Sequence, residues 1–324
     1  MQALALEWEM LRPLLEGKEI VSVYLGGGTP SQLGKARIEE ILSWLPTHAP
    51  NCEITLEANP EDITAELLSI QGINRISMGV QSFDNRLLQT LGRGHTAECA
   101  KEAVHACSMA YGNVTIDLMY ELPGQRLEHW RSSLETAADL PLHHLSLYNL
   151  TFEEGTAFTR KKERLTPLLP PEDEREAFFL LPEQILPLKR YEISAFAKPG
   201  FESRHNTGYW QGRPFLGFGP SACSFWDGAR MRNRASLVHW QRSLEQGQSP
   251  IDFKERLDPE PSLREHLIIG LRLFQGVEQR PLPNETAQLI DGLIEQGLIE
   301  SSESRWKLTT KGRLFHDTVA ETLV

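Results

Sequence analysis

The chain has 324 residues, of which 24% are charged and 40% hydrophobic, and 33 Lys and Arg against 44 Asp and Glu give a formal net charge of -11 at pH 7. A chain of this length and composition can bury the core of one large and one small domain, which excludes an intrinsically disordered protein. The acidic balance argues against a general binder of nucleic-acid phosphates, so we expect no nucleic-acid partner.

No stretch approaches the roughly 18 to 20 consecutive apolar residues that span a bilayer. Glu7 and Glu9 interrupt the region where a signal peptide would be apolar. The four cysteines, with no pair at CxxC spacing, are Cys52, Cys99, Cys107 and Cys223. They predict neither a disulfide scaffold nor a local zinc site, and we expect a cytoplasmic protein in a reducing compartment.

Between residues 20 and 150, short apolar runs alternate with amphipathic stretches whose apolar residues recur at helical spacing. This alternation predicts an α/β fold with parallel strands covered by helices, in either a barrel or an open doubly wound sheet. The predicted strands are 20–25, 52–58, 75–80, 114–120 and 144–150, and the predicted helices are 3–15, 36–45, 97–110 and 127–140.

Polar residues or glycines follow each predicted strand at its carboxyl end. In parallel α/β folds the ligand binds at that edge, because the loops converge there and helix N-termini direct their N–H groups inward. The pattern therefore predicts a ligand site formed by Gly26, Gly27, Gly28, Thr29, Glu57, Gln81, Asp117 and Thr151.

The second half of the chain has a different character. The charged and proline-rich run 153–176 predicts a connecting loop, followed by a helix ending at 186 and a strand at 191–196. Helices at 263–274 and 285–296, a hairpin at 298–309 and a last helix from Lys311 give the outline of a winged-helix module. We therefore predict a core at 1–165, an extension at 166–257 and a winged-helix-like domain at 258–324.

The glycine loop Gly26-Gly27-Gly28-Thr29-Pro30 lacks the Gly-Lys-Ser/Thr ending of a Walker A loop and the spacing of GxGxxG. Its glycines let the backbone approach a ligand closely, and its carbonyls can accept a hydrogen bond from a ligand amine. A tight turn between strand and helix is the alternative interpretation.

Glu57 and Asp117 stand in strands that are otherwise apolar. An unpaired charge in such a strand costs roughly several kcal/mol, so each carboxylate needs a partner. Arg93 is the nearest candidate in sequence, and a buried structural ion pair is one interpretation. With Gln81 at the same edge, the other is a polar ligand that carries an amine, a carboxylate and hydroxyls.

The run His205-Asn206-Thr207-Gly208-Tyr209-Trp210 places an imidazole, an amide and two aromatic rings within six residues. Aromatic rings beside a histidine suit a flat conjugated ligand such as a porphyrin, with His205 as an axial iron ligand. A loop whose histidine and asparagine cap neighbouring backbone is the alternative interpretation.

In this order, these motifs resemble those of the radical S-adenosylmethionine family and, within it, the branch of oxygen-independent coproporphyrinogen III oxidase. The HNxxYW element at 205–210 is typical of the HemW-type haem-chaperone branch. The resemblance runs from about residue 20 to the C-terminus and rests on residues 26–31, 56–60, 77–83, 91–95, 117–125 and 205–210.

The resemblance implies a partial (β/α) barrel of radical-SAM type with a small C-terminal winged-helix-like domain. It implies that S-adenosylmethionine and haem are ligands, with His205 at the haem. The residues that it places around S-adenosylmethionine are Gly27, Gly28, Thr29, Glu57, Gln81, Arg93, Asp117 and Thr151.

Two departures from the family pattern stand out. The CxxxCxxC motif, whose thiolates hold a 4Fe-4S cluster in the family, does not occur in this sequence. We therefore expect no cluster ligands in this chain, and an N-terminal shortening that removes the first barrel strand. Cys223 stands where relatives carry histidine. One interpretation is a thiolate ligand at haem, and the other, which we favour from the sequence, is a buried, unreactive cysteine.

Three functions remain open. The first is a haem chaperone that binds haem and passes it to an unidentified acceptor protein, which the HNxxYW element favours. The second is an oxygen-independent coproporphyrinogen III oxidase, which decarboxylates propionates by radical chemistry. The third is a cluster-less binding protein. The sequence leaves open whether the chain is an enzyme.

Overall fold

The computed structural model describes residues 1–45, 51–153, 155, 158–302 and 304–324. The chain divides into two compact units. We call residues 23–39 and 53–203 the sheet unit, and residues 1–22, 40–52 and 204–324 the terminal unit.

Within the described residues the α-helices are, in chain order, α1 (Gln2–Leu11), α2 (Lys35–Trp44), α3 (Ala65–Leu68), α4 (Asn85–Leu91), α5 (Ala97–Tyr111), α6 (Leu127–Asp139), α7 (Lys162–Leu165), α8 (Arg175–Ile185), α9 (Arg204–Trp210), α10 (Leu237–Glu245), α11 (Pro259–Gly270), α12 (Asn284–Glu295), α13 (Thr310–Leu314) and α14 (His316–Leu323).

The strands of the described residues are β1 (Ser22–Leu25), β2 (Glu53–Ala58), β3 (Arg75–Gln81), β4 (Val114–Tyr120), β5 (His144–Asn149), β6 (Lys189–Glu192), β7 (Ala195–Ala197), β8 (Cys223–Trp226), β9 (Ala229–Asn233), β10 (Ile251–Glu255), β11 (Val277–Glu278), β12 (Ile299–Ser302) and β13 (Arg305–Leu308).

The sheet unit is built on a seven-stranded sheet with the order β1-β2-β3-β4-β5-β7-β6. Strands β2 to β5 run parallel to one another, and β7 joins β5 antiparallel. The sheet is open, with β1 and β6 at its edges. All five strands predicted before residue 150 are present within two residues of their predicted ends, which confirms the α/β class.

Apolar residues along the central strands explain this fold. Ile76 and Met78 of β3 and Ile116 and Leu118 of β4 are completely buried, as expected for parallel strands with helices on their faces. Capping residues also mark the helix starts. The Thr96 hydroxyl accepts a hydrogen bond from the Cys99 N–H at 3.2 Å and caps the start of α5.

Two sequence predictions for the later part of the sheet unit are wrong in detail. The predicted loop at 153–176, of which residues 154, 156 and 157 lie outside the described residues, contains α7 and short 3-10 turns. The strand predicted at 191–196 is a hairpin, because Glu192 of β6 pairs with Ala195 of β7 across a two-residue turn. The backbone carbonyl of Ile193 in that turn accepts hydrogen bonds from Arg190 at 2.7 and 3.1 Å.

The terminal unit is held together by a long-range contact between the two ends of its sequence. Ala3 of α1 packs with Trp240 and Leu244 of α10 in a buried apolar cluster. The buried Glu7 carboxylate accepts hydrogen bonds from the Gly219 N–H at 2.7 Å and the Asn233 amide at 2.6 Å. Its pKa is raised because burial outweighs these hydrogen bonds.

An antiparallel sheet in the order β10-β9-β8 also belongs to the terminal unit and was not predicted. Residues 205–210 form most of helix α9, so the interpretation of this run as a loop is wrong. Toward the C-terminus, α11, α12, the hairpin β12-β13 and the last helices follow in the predicted order. Glu303, inside the predicted hairpin, lies outside the described residues.

Strand β11 adds a third strand beside β13, which completes the small sheet of the winged-helix-like module. The division of the chain at residues 165 and 257 stays a prediction. Among the described residues, no helix is both long and apolar enough to cross a membrane.

Candidate functional site

The carboxyl edge of β1 and β2 in the sheet unit brings a tyrosine against a carboxylate. The Tyr24 hydroxyl donates a hydrogen bond to Glu57 Oε1 at 2.7 Å. Burial, together with the Glu57 charge, raises the pKa of Tyr24, so this hydroxyl stays protonated and remains a donor. The contact fixes Glu57 at the strand end instead of leaving it as an isolated charge.

The first glycine of the loop after β1 is required by this contact. A Cβ added to Gly26 would lie 2.5 Å from the Tyr24 ring and 3.0 Å from the Glu57 carboxyl carbon. At Gly27, where φ is +88°, and at Gly28, an added Cβ would meet nothing within 4 Å. The loop is therefore closely packed at its first residue and open at the next two.

Asp117 of β4 lies in the same edge of the sheet. The parallel register of β4 and β5 places it beside Ser146, which gives it a side-chain hydrogen bond. Burial raises the pKa of Asp117 to about 6, although that hydrogen bond and the charges of Arg75 and Arg93 act in the opposite direction. The Glu57 charge raises it further, so the two carboxylates are electrostatically coupled.

Arg93 and Gln81 converge on a glycine of β3. A Cβ added to Gly79 would lie 3.1 Å from Arg93 Nη2, 3.1 Å from Gln81 Nε2 and 3.8 Å from Asn59 Oδ1. Burial lowers the pKa of Arg93, while the charges of Glu61 and Asp117 partly restore it. A side chain at position 79 would therefore occupy the space in which these polar groups meet.

The backbone is irregular at this edge. The pairing of β3 with β4 shifts register between Met78 and Gln81, and Gln81 has a φ of 67°. Glu121, directly after β4, has a φ of 58°. Non-glycine residues rarely adopt this left-handed conformation, and such residues cluster at functional sites.

Charge interactions link Asp117 with Glu57 and Arg93, and Arg93 and Gln81 both lie beside Gly79. The four predicted residues therefore share one edge of the sheet. Gly27 and Gly28 lie on the exposed loop after β1, and Thr29 follows them. Two residues beyond Thr29, the Ser31 hydroxyl donates to Asp62 at 2.8 Å. Thr151 is exposed, two residues beyond β5.

Sequence reasoning did not give roles to Tyr24, Arg75 and Ser146. Tyr24 and Ser146 lie within strands, where their alternation with apolar neighbours marked only a sheet face. The buried Arg75 at the start of β3 donates to Thr55 Oγ1 at 3.4 Å. A lone arginine in an apolar strand was the one signal that could have identified it, since a buried guanidinium requires acceptors or anions nearby.

The donors and acceptors in the sheet unit fit a small zwitterionic ligand with hydroxyl groups. Glu57 and Asp117 supply acceptors for an amine or hydroxyls, Arg93 supplies a donor for a carboxylate, and the open loop at Gly27 and Gly28 leaves space for close approach.

The cysteines do not fit an iron–sulfur cluster. Cys99 and Cys107 lie two turns apart on α5, Cys52 precedes β2, and Cys223 begins β8. Burial raises the pKa of Cys107 to about 12 and also raises that of Cys99, so both thiols resist becoming thiolate ligands. Among the described residues, no three His, Cys, Asp or Glu side chains converge as a metal site.

Helix α9 in the terminal unit presents aromatic side chains. The His205 ring meets the Tyr209 ring edge to face, with centroids 4.7 Å apart, and Tyr209 meets Phe215 in the same way at 4.6 Å. His205 Nδ1 lies 3.1 Å from the Ser22 hydroxyl. The histidine of the HNxxYW element is therefore joined to a ladder of aromatic rings.

This ladder leads to a cavity of about 560 Å³ that lies entirely within the terminal unit. Its wall is formed by α9, the β8–β10 sheet and α11, and it includes Tyr209, Trp210, Phe225, Met231, Phe253 and Ile269. Cys223 also lines the cavity and is exposed, so the expectation of a buried, unreactive cysteine is wrong. It was wrong because β8 lies at the edge of its sheet.

Comparison with known proteins agrees with the motifs. Residues 8–137 match the radical SAM superfamily, and residues 257–315 match the HemN C-terminal domain. The chain is 32% identical to the heme chaperone HemW of Bacillus subtilis, over 97% of this chain and 89% of that protein. It is 33% identical to HemW of Lactococcus lactis, over 92% and 83% of the two chains.

HemW of Escherichia coli is 32% identical, over 94% of this chain and 84% of that protein. Among solved structures, the fold is similar to that of the coproporphyrinogen III oxidase HemN from Escherichia coli, a radical SAM enzyme. The match has a TM-score of 0.81 and covers 99% of this chain and 82% of the HemN chain. At 22% identity this likeness shows the fold alone, and it confirms the predicted barrel type. The chain belongs to the HemW family within the radical SAM superfamily.

Proposed function

We propose that this protein is a haem chaperone, which binds haem and transfers it to an acceptor protein. The observation that carries the proposal is that the HNxxYW helix α9 contributes Tyr209 and Trp210 to an apolar cavity. Aromatic walls bind flat conjugated rings through dispersion and stacking. The curated HemW relatives are called heme chaperones, and they match this chain over nearly its whole length.

We also propose that His205 belongs to the haem site. Its ring contacts Tyr209, and its side chain interacts with Ser22, so its orientation is fixed beside the cavity wall. The acceptor protein and a cytoplasmic location are part of the same proposal, since a haem chaperone and its acceptor share a compartment.

The sheet unit is proposed to bind S-adenosylmethionine. Glu57 and the loop of Gly27, Gly28 and Thr29 would accept from its amine, Arg93 would bind its carboxylate, and Gln81, Asp117 and Thr151 would contact its ribose and adenine. When bound, S-adenosylmethionine supplies a positively charged sulfonium, which the acidic side chains of this edge favour electrostatically.

A coproporphyrinogen III oxidase would use radical chemistry that starts at an iron–sulfur cluster. The cysteines of the described residues do not form a cluster site, so these residues do not supply the ligands that such a reaction requires. Binding and transfer of haem require only a cavity and a route to the acceptor, so the chaperone is the function that these residues support best.

The proposal is tested by titrating ferric haem into the purified chain and following the Soret absorption. We expect saturation near one haem per chain and subsequent transfer to apo-myoglobin as a generic acceptor. The matched variants are His205→Ala and His239→Ala, because His239 is an exposed histidine of α10 in the same unit. Absence of saturable binding by the unaltered chain would refute the function.

A further inference from the structure

We infer that the terminal-unit cavity is the haem site, that His266 of α11 supplies the iron ligand, and that Arg232 of β9 binds a haem carboxylate. This inference rests on the proposed haem-binding function, to which it adds a location and two assigned contacts. The cavity volume of about 560 Å³ lies within the range of sites that enclose a single organic ligand.

Four side chains of the cavity wall are of types that ligate haem iron, namely His266, Cys223, Tyr209 and Met231, and we assign the role to the histidine. His266 lines the cavity, half-buried, and among the described residues its ring has no hydrogen-bond partner. The Nδ1 and Cε1 edge of the ring packs on Gly212, where an added Cβ would lie 2.9 Å from Nδ1 and 3.2 Å from Cε1. Nε2 is the ring nitrogen that does not pack on Gly212, and it is therefore the nitrogen available to iron.

The protonation state of this histidine is suited to the role. Burial, together with the charge of Arg280, lowers the pKa of His266. The ring is therefore neutral at neutral pH, and a neutral imidazole nitrogen is the form that coordinates haem iron.

Two arginines of the cavity wall differ in how closely carboxylates pair with them. Arg230 is neutralised by Glu255, at 2.5 Å, and by Glu265. Among the described residues, Arg232 pairs only with Asp252, at 4.0 Å, and its side chain is 56% exposed. Its guanidinium lies 5.8 Å from the centroid of the Phe253 ring in the cavity wall. An anionic group at the edge of a flat ligand would thus find a cation beside an aromatic surface.

A second arginine supports a ligand of this kind. Among the described residues, Arg213 donates to neutral groups, the Arg204 carbonyl at 3.3 Å and the Gln211 amide oxygen at 3.1 Å. Arg213 also lines the cavity, so it is a further cation available to an anionic group of the ligand.

The iron ligand is tested by spectroscopy of ferric haem bound to His266→Ala, with His239→Ala as matched control. We expect His266→Ala to lose the signature of an imidazole-ligated iron in the Soret and electron paramagnetic resonance spectra and to bind haem at least tenfold more weakly. Millimolar imidazole should restore the signature in that variant. His239→Ala should match the unaltered chain.

The carboxylate contact is tested with haem and haem dimethyl ester, which lacks the negative charges. Arg232→Gln should weaken binding of haem by about threefold to tenfold and leave binding of the ester unchanged, while Arg242→Gln, an exposed arginine of α10, should affect neither. Equal affinity of Arg232→Gln and the unaltered chain for haem would overturn this assignment.

The location is tested by Ser262→Trp, because Ser262 is an exposed residue of α11 that lines the cavity and can be enlarged without disturbing the core. We expect at least a tenfold loss of haem affinity with an unchanged melting temperature. Haem binding that survives both Ser262→Trp and His266→Ala, but is lost in His205→Ala, would overturn the inference and leave the haem function standing. No haem binding by the unaltered chain would overturn both.

Discussion

In the sheet unit, the candidate site is a set of charged and amide side chains at the ends of successive strands. In the terminal unit, the cavity between α9, a three-stranded sheet and α11 has a mainly apolar surface, with arginine and glutamate side chains along its wall. The first kind of site depends on a few charges whose pKa values are shifted by burial, such as that of Asp117. The second depends on shape and apolar surface, so the two should respond differently to the same type of substitution.

The largest difference between the two sites, measured as a change in ligand affinity, is expected for Asp117→Asn. Hydrogen bonds to a charged group are worth about 1.5 to 3 kcal/mol, so affinity for S-adenosylmethionine should fall by about 10- to 100-fold. Haem affinity should be unchanged, because Asp117 belongs to the other unit. Isothermal titration calorimetry with both ligands checks this, and Asp139→Asn, at an exposed position of α6, is the control.

The raised pKa of Asp117 predicts that the stability of the chain depends on pH. The pKa of Asp117 is raised from 3.8 to about 6 by folding, so the folded state holds this proton more tightly than the unfolded state. Its contribution to the free energy of unfolding is therefore largest below pH 4 and is lost as the pH rises through about 6. Asp117→Asn, which carries no ionisable group, should be more stable than the unaltered chain by about 2 to 3 kcal/mol at pH 7.

Urea unfolding at several pH values between 4 and 7 measures this difference. The stability of the unaltered chain relative to Asp117→Asn should fall across that interval and level off above it. A difference that stays constant with pH would contradict the account of Asp117.

A comparison of two glycines tests how closely the loop after β1 is packed. Gly26→Ala should lower the free energy of unfolding by about 1 to 3 kcal/mol, because its methyl group would overlap the Tyr24 ring. Gly28→Ala meets nothing within 4 Å and should change stability by less than about 0.5 kcal/mol. Similar losses in both variants, measured by chemical denaturation, would show that Tyr24 is not the cause.

A smaller effect is expected in the terminal unit for Tyr209→Ala. The substitution removes ring contacts with His205 and Phe215, and haem affinity should fall about fivefold to tenfold. Tyr209→Phe keeps the ring and should bind haem within about twofold of the unaltered chain. If both variants lost haem equally, the hydroxyl and not the ring would be responsible.

The smallest effect is expected for Tyr24→Phe, which removes the hydrogen bond to Glu57 and keeps the ring. The free energy of unfolding should fall by about 1 kcal/mol, with little change in haem binding. Thermal unfolding followed by circular dichroism is the measurement. A gain in stability would mean that Glu57 finds water or another donor at no cost.

Much of the sheet unit could be predicted from the sequence, because its signals are local. Apolar strands and polar strand ends recur in order, and four of the predicted residues, Glu57, Gln81, Arg93 and Asp117, do lie together. Tyr24 was missed because a tyrosine in a strand has no local mark that separates a packing role from a hydrogen-bonding one.

The terminal unit was harder to predict, because its contacts join residues far apart in the chain. Glu7 accepts from Gly219 and Asn233, more than two hundred positions away, and no periodicity reports such a pair. The β8–β10 sheet was missed since its strands are only four or five residues long, and two arginines interrupt the apolar pattern of β9. His266 and Arg232 lie on different elements from the HNxxYW helix, so no local pattern in the sequence connects them with it.

The most direct test of two independent sites is a paired titration of haem and S-adenosylmethionine into Asp117→Asn and Ser262→Trp. We predict that Asp117→Asn loses S-adenosylmethionine binding and keeps haem, while Ser262→Trp loses haem and keeps S-adenosylmethionine. Loss of both ligands in either folded variant would contradict two independent sites, and full haem binding by Ser262→Trp would contradict the assignment of haem to the terminal-unit cavity.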